Sequence, residues 1–322
     1  MSFDEIWGQE PAIQTLKRAL ESGRVHHAYR FEGPPGVGKE MAAWRFARAL
    51  VCARGGLGCG ECSACRRAMT LSESEPHVPL HPDVVLVGRG IYRSVTGQAE
   101  ATGLGVEQIR RVVLERIGFS PHEGKALVFI VRDADELTPQ AANSLLKTLE
   151  EPPPRTHFVL LTSRPNRLLD TIRSRAQPLR FSPLPDSVVA RILEKNGQKS
   201  ELAPFAQGSA ELALELADPD ALAEREAFAA GMQAAIDAKD LSFAIKFAET
   251  QKGDRETLKA ELGFFAQKLA SVAREGAKSD VVLAERKARH HAAVLAAMND
   301  IEHNVQPALV IETLLQTLRK SA

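Results

Sequence analysis

The spacing of apolar positions changes character along the chain. Ile13, Leu16 and Leu20 share one helical face, in a segment opened by Pro11 and stopped by Gly23. Residues 28–31 predict a first strand, and 41–51, with Trp44, Ala47 and Val51 on one side, predict the helix that follows it. Residues 84–87 (VVLV) form a short β-rich run, whereas Val106, Ile109, Val113 and Ile117 recur at helical spacing. The runs at 126–131 (ALVFIV) and 158–162 are continuously apolar, as are strands covered on both faces of a parallel sheet. Between them, Thr138 and Pro139 have N-cap and N1 chemistry for a helix to about Glu151, which three prolines end. The first half therefore predicts an open α/β sheet with flanking helices.

After Phe181 the texture changes. Pro183 and Pro185 make a linker, and the periodic segments beyond it are almost all helical, ending in Leu309, Ile311, Leu314, Leu315 and Leu318. No internal repeat is present. Three domains are expected: an α/β core over 1–181, a small helical lid over 182–220 and an all-helical C-terminal domain over 221–322. A length of 322 residues accommodates them.

Composition narrows the function classes. Hydrophobic residues are 44% and charged residues 25%, the mix of a folded chain. Lys+Arg and Asp+Glu number 41 each, which excludes a generally basic nucleic-acid binder and leaves room only for a local basic face. Aromatics at 5% give little material for base stacking. No apolar run reaches the ~18 residues of a membrane span, and the start, MSFDEIWGQEP, has no apolar leader core; the expectation is a cytoplasmic protein.

Three motifs carry chemistry. Gly33-Pro34-Pro35-Gly36-Val37-Gly38-Lys39 fits GxxxxGK between a predicted strand and a predicted helix, the setting of a P-loop. Its glycines turn backbone N–H groups toward phosphate oxygens, the helix N-terminus adds positive potential, and Lys39 reaches the β/γ-phosphates. The next residue departs from the motif: Glu40 stands where a Ser or Thr hydroxyl ligates Mg²⁺. The loop is thus either a nucleotide cradle or a turn retained without nucleotide. At the end of the 126–131 strand, where metal-binding carboxylates belong, the chain reads RDADEL, so Arg132 comes first. Asp133, Asp135 and Glu136 are either substitute ligands or, the more weighted reading, solvated acids at a helix start.

The four cysteines, Cys52, Cys59, Cys62 and Cys65, lie in one stretch on a Gly-rich turn. Thiolates at this spacing converge on a closed tetrahedral Zn²⁺ site with no open catalytic position; reduced structural cysteines are the alternative, and a redox pair leaves the fourth unexplained. Arg164, Arg167, Arg173 and Arg175 cluster in TSRPNRLLDTIRSRA, either as an arginine finger for a neighbour's γ-phosphate or as a solvated helix face. The pairs His26-His27 and His290-His291 lack further ligands at metal spacing and read as structural or exposed. Arg66 and Arg67 are thin support for nucleic-acid binding at the cysteines.

Together GPPGVGKE, the four-cysteine insertion after the P-loop helix, HPD at 81–83, VEQIR at 106–110, AANSLLKTLEEPP at 141–153 and TIRSRA at 171–176 resemble the bacterial DNA polymerase III clamp-loader AAA+ family, most closely its delta-prime members. The resemblance covers residues 1–216 strongly and the C-terminal NVQPALVIETLL weakly. It implies an α/β P-loop AAA+ core with a helical lid and an all-α collar, in a five-subunit ring with gamma/tau motor and delta subunits. Such a ring opens the sliding clamp and closes it around primed DNA. It also implies that Ser174-Arg175-Ala176 is the SRC motif, with Arg175 as a finger acting in trans. Thr162 and Ser163 fall at sensor 1, and Glu211 stands where a motor subunit has its sensor 2 arginine. With Glu40, Arg132 and Glu211 together, ATP or ADP is expected without hydrolysis and Mg²⁺ without proper ligation. The alternatives are an ATP-hydrolysing gamma/tau-type motor and a stand-alone AAA+ ATPase.

Overall fold

In the computed structural model of the protein, residues 3–92, 103–123, 125–250, 255–277, 279–302 and 305–320 are described. The chain divides into two compact units, Met1–Val188 and Val189–Ala322.

The first unit is built on a five-stranded, all-parallel sheet. Its strands are β1 (Ala28–Glu32), β2 (Val84–Val87), β3 (Leu127–Val131), β4 (Thr156–Thr162) and β5 (Gln177–Arg180), in the order β2-β3-β4-β1-β5. Registers such as Ala28 opposite Phe158 and Phe129 opposite Phe158 fix the central strands. Alternate residues feed two cores, one on each face. Tyr29, Phe31, Leu86, Val128, Ile130 and Val159 pack with Ile13, Leu16 and Phe46, from helices α1 (Glu10–Glu21) and α2 (Lys39–Val51). Val85, Val87, Phe129, Val131, Phe158 and Leu160 pack with Ile109, Leu145 and Ile172 on the other face. Phe129 and Phe158 stack with ring centroids 5.0 Å apart.

The helices lie close to the predicted spans. The helix predicted over 106–117 is interrupted by one wider π turn at Arg110–Leu114. Thr138 caps α5 (Pro139–Glu150) by accepting a hydrogen bond from the Ala141 N–H at 3.3 Å; α3 (Ser63–Ala68) and α4 (Val106–Ile109) precede it. Residues 93–102, most of the 88–104 segment expected to be a loop, lie outside the described residues. The strand at β5 has no counterpart in the apolar pattern.

The second unit is helical and shares one apolar core from Leu216 to Leu318, against which Leu202, Phe205 and Leu212 also pack. Asp218 caps the long helix Pro219–Asp237, accepting from the N–H groups of Asp220 and Ala221. Inside that helix Gly231 has a packing reason: a Cβ there would collide with the Phe247 ring. Among the described residues no helix is long and apolar enough to cross a membrane.

Candidate functional site

The phosphate cradle starts where β1 ends. Gly33 has φ +155°, and a Cβ at this position would run into the Phe181 carbonyl beyond β5. Gly36 and Gly38 take the left-handed values 70° and 95°, and Gly38 is the N-cap of α2. Gly33, Pro34, Pro35, Gly36, Val37, Gly38 and Lys39 therefore form the strand-to-helix turn that the motif predicts. Lys39 folds back over the loop, its Nζ donating to the Gly33 and Pro34 carbonyls at 2.6 and 2.5 Å.

The two departures from the motif are each other's partners. Arg132, one residue past β3, donates from Nε to both Glu40 carboxylate oxygens at 3.0 Å, and its Nη2 also contacts Oε1. Trp44 Nε1, one turn along α2, donates to Glu40 Oε1 at 3.0 Å. The positions at which a motor would hold Mg²⁺ between a hydroxyl and a carboxylate are thus joined by an ion pair. Metal ligation here would need the guanidinium displaced from the Glu40 carboxylate, and Arg132 offers no ligand atom of its own.

The acids after Arg132 differ in exposure: Asp133 is exposed and Glu136 partly so, but the Asp135 side chain is not. The Asp135 side chain is 1% exposed; Thr162 Oγ1 donates to it at 2.6 Å and Arg164 Nε at 2.7 Å. Its carboxylate ties Thr162, at the end of β4, to Arg164 beyond it. Asp133 adopts φ 45° and is exposed, yet partial desolvation of its carboxyl, reinforced by Asp135, raises its pKa despite Arg132 and Lys39 nearby.

Arg175 lies at the other edge of the sheet. It precedes β5, and its open cavity is lined by His26, His27, Leu149, Glu150 and Ser174, of which the histidines precede β1. Because every strand is parallel, this edge is opposite the P-loop, across roughly 15–20 Å of strand. Arg175 Nη2 pairs with Glu150 at 2.6 Å while Nη1 donates to the Thr171 carbonyl at 2.9 Å. Glu150, at the end of α5, was not singled out in the sequence; only its place in LEEPP pointed to it. Of the other arginines of the cluster, Arg164 and Arg167 are exposed; Arg164 reaches back to the buried Asp135 side chain, and Arg173 pairs with the exposed Asp170.

The four cysteine sulfurs come within 4.8 Å of one another, with Cys52–Cys62 at 4.0 Å and Cys59–Cys65 at 3.9 Å. Four thiolates around one tetrahedral ion at about 2.3 Å sit about 3.8 Å apart, so the cluster fits a metal ion. The N–H groups of Cys59, Cys62 and Cys65 point to the sulfurs of Cys52, Cys59 and Cys62, each at 3.4 Å. Burial opposes ionisation of Cys62, but the backbone N–H groups of Cys65 and Ala53 bring its pKa to about 6. Burial pushes the Cys65 thiol up to about 12. Beside the cluster Arg67 pairs with Glu123, at 2.5 and 2.8 Å. In HPD, Asp83 accepts from the His122 and Glu123 N–H groups at 2.6 and 2.8 Å, tying the start of β2 to the turn ahead of β3.

A P-loop opening a helix on a β2-β3-β4-β1-β5 parallel sheet, followed by a helical unit, defines a nucleotide-binding fold of the AAA+ class. A family profile described as "DNA polymerase III, delta subunit" matches residues 8–185, and the chain belongs to that family. It is 36% identical over 202 residues to the delta' subunit of DNA polymerase III from Bacillus subtilis, across 61% of this chain and 55% of that protein. It is also 36% identical over 202 residues to the gamma/tau subunit from Mycobacterium tuberculosis, across 61% of this chain and 32% of that protein. The chain thus matches between a third and just over half of these relatives' length. A gamma subunit-related protein of Thermotoga maritima shares the fold at TM-score 0.51 and 17% identity, covering 95% of this chain and 98% of its own.

Proposed function

We propose that this chain is a delta-prime-type subunit of a DNA polymerase III clamp loader, helping to place the sliding clamp on primed DNA during replication. The observation that carries it is the Glu40–Arg132 ion pair across the metal position, together with an Arg175 that faces away from its own P-loop. A subunit built this way does not hydrolyse ATP itself; it offers Arg175 to the γ-phosphate held by an adjacent gamma/tau motor. Its other partners are the delta subunit, the clamp and the DNA, within a hetero-pentamer in the cytoplasm. Residues 182–220 are the lid and 221–322 the collar through which subunits associate. Gly33–Lys39 retains the shape to hold ATP or ADP without turnover, with Mg²⁺ poorly ligated. Cys52, Cys59, Cys62 and Cys65 hold a structural Zn²⁺, which ties the end of α2 to α3 when bound.

The gamma/tau relative, as similar as the delta' relative, favours a second reading: an ATP-hydrolysing motor. Steady-state ATP hydrolysis separates the two. The purified chain is silent alone and active only in a mixture with motor and delta subunits, clamp and primed DNA if the first reading holds. Robust turnover by the lone chain supports the motor.

A further inference from the structure

Arg48 sits on α2 one turn before Cys52, on the same helix face, and is 2% exposed. Its Nε and Nη2 atoms are buried with no hydrogen-bond partner among the described residues. The guanidinium lies against the turn that carries Cys59: a Cβ at Gly58 would stand 3.2 Å from Nε, and one at Gly60 would stand 3.8 Å from Nη1. The Arg48 carbonyl faces the Cys65 sulfur at 4.0 Å. The neighbouring Arg45 is also buried, but it has Glu5 at 3.1 Å. Arg48 has no carboxylate at ion-pair distance among the described residues. A buried cation without a partner is costly, and a fold keeps one where a negative charge stands nearby. Four thiolates around a divalent ion leave a net dianion in the same pocket of the fold.

We infer that Arg48 is the buried counter-cation of the metal-loaded cysteine cluster. It is not a ligand; it acts through its charge across the 58–60 turn, lowering the cost of gathering four thiolates. The inference rests on the zinc reading of the cluster.

The test is zinc affinity of the full chain, measured by competition with a chromophoric chelator, for wild type and for Arg48→Met, Arg48→Gln and Arg48→Lys. The two neutral variants are expected to bind zinc about 10–100-fold more weakly, the scale of an outer-shell loss, while Arg48→Lys stays near wild type. A second readout is the urea midpoint of zinc-stripped protein. There Arg48→Met or Arg48→Gln is expected to match or exceed wild type, because an uncompensated buried charge has gone, whereas a packing role would lower the midpoint with and without zinc alike. Should Arg48→Met fail to fold, Arg48→Gln gives the same comparison. Zinc affinity equal to wild type in the neutral variants, or equal loss in all three, overturns the inference. A wild-type chain that takes up no zinc at all overturns the zinc reading instead.

Discussion

Glu40 and Arg132, 92 positions apart, meet as a forked ion pair at the mouth of the phosphate loop. Each alone departs from the P-loop ATPase pattern; together they satisfy each other's charge. Both side chains are more than a third exposed, so their coupling in a double-mutant cycle is expected to be at most about 1 kcal/mol of stability. Their effect on nucleotide should be larger. Changing Glu40→Thr with Arg132→Asp restores a hydroxyl and a carboxylate, and Mg²⁺-dependent tightening of a fluorescent ATP analogue is expected in the double variant. Identical titrations for wild type and double variant would show that the pair does not govern the phosphates.

Arg175→Ala is expected to slow hydrolysis at the one adjacent motor site of the reconstituted assembly by about 10³–10⁵-fold, the range for systems that depend on an arginine finger, and so to lower the DNA-stimulated ATPase of the whole by at least that site's share. The side chain is about a third exposed, so the chain's melting temperature should barely move. An unchanged ATPase rate would end the finger assignment.

Glu150 accepts from the Arg175 Nη2 that a neighbour's phosphate would need. Glu150→Gln weakens that competition, and half-maximal activation of the assembly is expected at lower ATP with the same maximal rate. A fall in maximal rate would instead make Glu150 a support that holds Arg175 in its working pose.

Burial lowers the pKa of His27, His81 and His157 from the ordinary 6.5, with His26 reinforcing the effect at His27. A histidine whose native pKa is depressed gives stability that is complete above pH 6.5 and is lost as the pH falls through the native value. The first unit is therefore expected to lose urea resistance on acidification below pH 6.5. In His81→Gln the slope of the midpoint against pH should flatten, whatever its level at pH 8. A slope identical to wild type would mean that His81 charges freely in the folded state.

Phe129 is fully buried and stacked on Phe158. Phe129→Ala is expected to cost about 3–5 kcal/mol in the unfolding transition of the first unit, read by urea denaturation.

The central sheet was legible because β2 and β3 are apolar over their whole length and β4 is apolar from Phe158 to Leu161, as strands covered on both faces are. The edge strand β5 was not: Gln177, Pro178 and Arg180 are exposed, Leu179 alone is buried, and proline is tolerated there because an edge needs fewer N–H groups. Of the candidate site, the P-loop and the cysteines could be read from spacing, since local turns fix them. The Glu40–Arg132 and Arg175–Glu150 pairs could not, because only the parallel order of strands brings such distant positions together. Asp135 was misread as solvated, since its polar neighbours in sequence conceal the burial that Thr162 and Arg164 impose on it.

The opposed placement of P-loop and Arg175 gives the first unit a direction. In a row of such units assembled head to tail, each would hand an arginine to one neighbour and take one from the other. On the proposed reading, with Glu40 and Arg132 paired across the metal position, this unit gives an arginine and uses none. On that reading it therefore belongs at one terminus of the row rather than in its middle.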